Sequence, residues 1–181
     1  YTVTAQLLLT SGDALIETGS AEFRFVVVYD PSSSFVTGGG WIDSPEGALL
    51  ADPARTGKAE FGFVSRYKKG AQLPSGTTEF QFHAGELDFR SSAYDWLVIS
   101  GASARLKGTG TINESGNFGF MLTAVDAALS ASTDVDLFRI KIWDKDHGDA
   151  VVYDNELGIS DDSNPTTAIE GGSIVIHKAK K

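Results

Sequence analysis

Phenylalanine recurs at every second residue in several parts of this chain, and that period constrains the fold more than any other feature. In residues 58–67 (KAEFGFVSRY) Phe61 and Phe63 alternate with small or polar neighbours. In 77–84 (TTEFQFHA) Phe80 and Phe82 take one face, and Glu79, Gln81 and His83 the other. In 117–124 Phe118, Phe120 and Leu122 share a face. In 136–143 Phe138, Ile140 and Ile142 do the same, opposite Leu137, Arg139, Lys141 and Trp143. Successive side chains of a strand point to opposite sides, whereas a helix repeats about every 3.6 residues. These segments are therefore strands with one buried and one solvated face, the pattern of antiparallel rather than helix-covered parallel sheet.

The remaining segments fit the same reading. Leu87 and Phe89, then 95–100, 104–112, 151–153 and 173–177 are further strands, and Asn113-Glu114-Ser115-Gly116 is a hairpin loop. The alanine-rich stretch 124–131 reads as a loop with one turn. Many short strands split by turn residues predict an all-β fold, an antiparallel β-sandwich of jelly-roll-like type with few or no helices. At 181 residues, 41% of them apolar, the chain suffices for one well-filled core. Residues 30–181 are expected to form that single domain. Residues 1–29, with strand candidates at 2–10 and 21–29, are expected to form a two-strand segment. That segment is either the tail of a preceding module or a packed junction with it.

Charge and composition exclude several functions. No cysteine is present, so disulfides and thiolate chemistry are absent. Net charge is −9, which disfavours binding to a phosphate backbone and predicts no nucleic-acid partner. No stretch approaches the roughly 18 apolar residues of a membrane helix, so no membrane insertion is expected. Gly38-Gly39-Gly40 lacks the lysine and following helix of a phosphate-cradling loop and reads as a bent edge strand.

A set of phrases, taken in order, carries a family resemblance: FVTGGGWI (35–42), KAEFGFVS (58–65), EFQF (79–82), YDWLV (94–98), GTGTIN (108–113), FRIKIW (138–143), VYDN (152–155) and GGSIVIH (171–177). Together they resemble the bacterial module called post-COAP-1, over about residues 30 to 178. Such modules recur near the C-terminal ends of large secreted or surface proteins, often after immunoglobulin-like repeats. In them a run like FVVVYDP (25–31) lies upstream of the glycine-tryptophan phrase, which fits residues 1–29 as an adjoining segment. The resemblance implies an extracellular or cell-surface setting with neighbouring modules of the same parent chain as partners. It implies no activity and assigns no residue a role.

Two constellations stand out in the residues themselves. Between Asp126 and Asp162 lie ten acidic and three basic residues, −7 of the total −9. Within that window Asp144, Asp146 and Asp149 surround Gly148, with Asp154 and Asn155 following. Calcium takes about six to eight oxygen ligands from flexible loops, so these five are the candidate ligands of a structural calcium ion. The full EF-hand pattern fails, because Gly148 sits at the fifth position and Asn155 where a glutamate belongs. Asp126, Asp134, Asp136, Asp161, Asp162 and Asn164 are further contributors to the same or a second site. A polar turn or solvated surface explains the same residues without a cation.

The second constellation is aromatic. Trp143, Trp96 and Tyr94, beside Glu79 and Arg139, are the candidates for binding a glycan or cell-surface ligand, with Trp41 a further tryptophan of the same kind. Burial in the core is the competing explanation for all of them. Glu79 and Glu60 do not form a recognisable glycosidase pair, and no serine-nucleophile motif or zinc spacing occurs. The leading expectation is thus a non-catalytic accessory module, calcium-supported, serving recognition, adhesion or spacing. A carbohydrate-binding module is the alternative, and a glycoside hydrolase or lyase the third.

Overall fold

The computed structural model describes residues 34–178 and, before them, the backbone of 3–11 and 14–23. Strands β1 (Val3–Ser11) and β2 (Ala14–Phe23) pair antiparallel with each other. The second strand thus lies earlier than the predicted 21–29, of which 24–29 fall outside the described residues.

Residues 34–178 are built on one nine-stranded sheet. Its members are β3 (Phe35–Ser44), β4 (Gly57–Arg66), β5 (Ser75–Phe82), β6 (Leu87–Ser100) and β7 (Ser103–Ile112). They continue with β8 (Ser115–Val125), β9 (Leu137–Asp144), β10 (Ala150–Asp154) and β11 (Gly171–His177). Every pairing is antiparallel, and β3 to β10 lie in chain order as a meander, with β11 returning beside β3. Among the described residues helix is confined to three 3-10 turns, at His83–Gly85, Ala127–Leu129 and Lys145–His147. The all-β antiparallel expectation holds, and the alanine-rich stretch, after β8 ends at Val125, makes the single turn expected of it. The strand pieces at Leu87, Phe89 and 95–100 are one long strand, β6.

The sheet curls so that its two halves face each other as the layers of a sandwich do. Phe61 of β4 stacks on Phe138 of β9 with ring centroids 4.0 Å apart, and Phe80 of β5 meets Tyr153 of β10 at 4.7 Å. Phe80, Phe82, Phe89, Phe120, Phe138, Ile140 and Ile142 are all fully buried, as the alternation requires. Each such side chain contributes about 1.5–3 kcal/mol of burial. Gly108 and Gly110 of β7 leave room for this packing, since a Cβ there would strike the rings of Phe120 and Phe89.

Both ends of the sheet are covered. Leu49, in the β3–β4 connection, forms a bridge with Tyr153 of β10. On β11 the backbone N–H groups of Ile174 and Ile176 donate to the carboxylates of Asp136 and Asp126, at 2.7 and 2.8 Å. Ala168 bridges Leu137 beside them. The β7–β8 hairpin turns on Asn113 and Glu114, both at positive φ (50° and 65°), which Asn tolerates and which suits the twist of a two-residue turn.

Candidate functional site

On the outer face of β6 to β10 lies a groove of about 800 Å³. Its floor and walls follow from the strand register. Trp96 of β6 pairs with Lys107 of β7, Lys107 with Met121 of β8, and Met121 with Lys141 of β9. Those four residues form one cross-strand row. One step along, Trp143 of β9 pairs with Gly119 of β8 on one side and Val151 of β10 on the other. Trp96, Lys107, Lys141 and Trp143 are all half-buried, and all line the groove.

Two bulges bring this about. In an unbroken strand Tyr94 and Trp96, two residues apart, would share a face. Between them β6 carries a bulge: Tyr94 pairs with Gly108 and Trp96 with Lys107, so β6 advances two residues while β7 advances one. Tyr94 therefore stays in the core, Leu97 is also buried, and Trp96 turns outward. Strand β10 repeats the device between Val151 and Tyr153. Val151 lines the groove and Tyr153 is fully buried. Bulges interrupt the hydrogen-bond ladder and are frequent where a side chain must be re-aimed.

The indole of Trp143 lies directly over Gly119, where a Cβ would come within 2.2 Å of the ring. The Lys107 ammonium sits 5.5 Å from the centroid of the same indole, within cation–π range.

The connection from β10 to β11 supplies the rim with Asp161, Asp162 and Asn164. It is held by buried polar groups. Arg139 and Asp154, almost fully enclosed, meet fork to fork: Nε donates to Oδ1 at 2.9 Å and Nη2 to Oδ2 at 2.8 Å. That hydrogen bonding, foremost, raises the Arg139 pKa above its ordinary value. The remaining guanidinium protons reach the backbone carbonyls of Ser160 and Ile159, at 2.9 and 3.0 Å. Asn155 takes the place of a strand partner, accepting from Ile140 N and donating to the Phe138 carbonyl. Glu156 Oε1 accepts from the backbone N–H groups of Thr166 and Thr167. The rim aspartates then pair across the groove edge, Asp161 with Lys141 at 2.9 Å and Asp162 with Arg105 at 3.6 Å.

The sequence candidates are thus divided by the fold. Trp96 and Trp143 come together. Tyr94 lies in the core with its hydroxyl on Thr78 at 2.7 Å, where burial raises its pKa. Glu79 stands on the exposed face of β5, 3.7 Å from Arg90, and does not line the groove. Arg139 lies beneath the rim loop rather than in the groove. Trp41 is on β3, with the Lys58 ammonium 5.4 Å from its ring. Nothing in a single sequence flagged Lys107, Met121 or Arg105, because their role comes from cross-strand register alone.

The five calcium candidates fall into two groups: Asp144, Asp146 and Asp149 around the β9–β10 connection, and Asp154 and Asn155 at the far end of β10. Asp154 is engaged by Arg139, and Asn155 by the backbone of β9. Asp144 caps the third 3-10 turn, accepting from Asp146 N at 2.9 Å, and its other oxygen meets Nδ1 of His147 at 2.8 Å. The histidine contact holds the Asp144 carboxyl below its ordinary pKa. Asp146 accepts from Asn117, and Asp149 lines the groove. Among the described residues no three His, Cys, Asp or Glu side chains are gathered as a metal site. No family model, no curated protein and no solved structure matches the chain.

Proposed function

We propose that this chain is a non-catalytic recognition module that binds a saccharide in the groove between Trp96 and Trp143. One observation carries this reading: two bulged strands turn Trp96 and Val151 out of the core and into the same groove as Trp143. Indole faces offer apolar area to the C–H faces of a sugar ring, and Lys, Asp and Asn side chains around them answer its hydroxyls. A protein that needed these tryptophans for stability alone would bury them more cheaply on the inner face. The rim carboxylates of Asp161 and Asp162 are held by Lys141 and Arg105, an arrangement suited to orienting hydroxyls rather than to attacking a bond. The family resemblance of residues 30–178 favours an extracellular or surface setting, in which such a module would tether a larger protein to a glycan.

The test is a glycan panel read by isothermal titration. Wild type is expected to bind at least one saccharide class. Trp96→Ala and Trp143→Ala are each expected to weaken that binding by about tenfold or more, as loss of an aromatic anchor does. Unchanged affinity in both variants, with both folded, would refute the reading.

A further inference from the structure

We infer that the groove selects acidic saccharides, and that the Lys107 ammonium is the group that reads the sugar carboxylate; the inference rests on the saccharide reading above. The groove carries three cations, Arg105, Lys107 and Lys141, and three carboxylates, Asp149, Asp161 and Asp162. Ion pairing removes two of each. Lys141 is held by Asp161 and Arg105 by Asp162. Among the described residues Lys107 has no carboxylate partner, and its ammonium faces the Trp143 ring instead. The unpaired carboxylate, Asp149, is exposed at the end of the β9–β10 connection, whereas Lys107 is half-buried on the sheet. Solvent screens the exposed charge more strongly than the enclosed one. The one cation of the groove left without a carboxylate therefore lies on the sheet, and the one carboxylate left without a cation lies at the exposed end of the β9–β10 connection.

The position of Lys107 makes that charge useful. It lies in the cross-strand row between Trp96 and Met121, and also over Trp143. Because the ammonium lies over the Trp143 ring, a pyranose that stacks there displaces it toward the sugar's edge, where it meets the ring substituents. A carboxylate there replaces the water around Lys107 with a charge-assisted hydrogen bond. Asp149, at the mouth, is left to accept from a hydroxyl. A neutral sugar offers Lys107 an ordinary acceptor only.

The experiment pairs each acid with its own neutral form. Galacturonate and glucuronate oligosaccharides are titrated alongside the same oligosaccharides with carboxyls reduced to alcohols, at about 0.15 M salt, where the overall negative charge is largely screened. The acidic form is expected to bind about tenfold more tightly. Lys107→Gln should bring the ratio of affinities close to one, and Lys107→Arg should preserve the preference. Asp149→Asn should raise affinity for the acid. Circular dichroism and melting show that each variant is folded. Equal binding of acid and reduced forms overturns the inference and leaves the saccharide reading standing. Tighter binding of a neutral sugar than of either uronate does the same. Binding to neither form, nor to any neutral glycan, overturns both.

Discussion

Arg139 and Asp154 form a nearly solvent-free bidentate ion pair that joins β9 to the end of β10 and anchors the rim of the groove. A buried pair gains little over an apolar pair of similar volume, but removing one partner strands a charge. Asp154→Ala is therefore expected to cost about 3–5 kcal/mol. The double variant Arg139→Met with Asp154→Leu should recover most of that stability. It should still weaken ligand binding, because the Ser160 and Ile159 carbonyls lose the donor that seats the rim loop. Chemical denaturation of the singles and the double, in one cycle, measures the stability terms, and the glycan titration measures the loss of binding.

The β11 edge of the sheet is closed by two aspartates rather than by another strand. Asp126 accepts from Ala128 N with one oxygen and Ile176 N with the other, and Asp136 does the same for Ala127 and Ile174. Truncation of either to alanine leaves unsatisfied donors at partly or fully buried positions, at a cost of about 1–3 kcal/mol each. The double variant should also aggregate, because an uncapped strand edge pairs with other chains. Light scattering on folded protein below its melting temperature reports this outcome. Unchanged solubility and stability would show that the edge needs no cap.

Chelation is expected to leave the melting temperature unchanged. The oxygens of Asp154, Asn155, Asp126 and Asp136 are already taken by guanidinium or backbone donors. Asp144 is committed to its own turn and His147. A cation drawing on Asp144, Asp154 or Asn155 would have to break these contacts before binding. Differential scanning calorimetry with EDTA and with excess calcium tests this, and a rise of several degrees with calcium would require a site formed by rearrangement.

The alternation of phenylalanines made the strands and the core legible from sequence, because side-chain period follows directly from backbone geometry. Phe80, Phe82, Phe120, Phe138 and Ile140 all fall where that period puts them. The groove was legible in its residue types but not in its membership. Strict alternation groups Trp96 with Tyr94, and the bulge between them reverses this. Arg139 reads as a solvated outer-face residue until the distant loop that covers it is in place. The acid-rich window suggested a cation for the same reason. Several of its carboxylates, those of Asp126, Asp136 and Asp154, are engaged by backbone amides and an arginine that only the folded chain brings near.

Alkaline pH should destabilise the fold through its tyrosines. Burial raises the pKa of Tyr153, and likewise of Tyr94, above the ordinary value of 10. The folded state therefore keeps protons that the unfolded state releases, and stability falls as pH rises. The contribution is intact below the unfolded value near 10 and is lost progressively above it, up to the higher folded values. Melting temperature should be level through neutral pH and drop above about pH 10. Tyr153→Phe should shallow that drop while losing the contact of its hydroxyl with Ser44 at 2.9 Å. A drop of equal steepness in wild type and variant would assign the alkaline transition to other groups.

Gly119 offers a way to disturb the groove from beneath. Its missing side chain is what allows the Trp143 indole to lie against β8, and a Cβ would overlap the ring. Gly119→Ala should therefore lift the indole away from the strand, while the inward neighbours Phe118 and Phe120 keep the strand seated. The stability change is expected to be modest, about 1–3 kcal/mol, typical of overpacking. Ligand affinity should fall nearly as far as in Trp143→Ala, because the ring is displaced from Lys107 and from its seat in the groove. Tryptophan fluorescence and its quenching by acrylamide report the displacement directly. Wild-type emission together with wild-type affinity would mean that the groove does not depend on how Trp143 is seated.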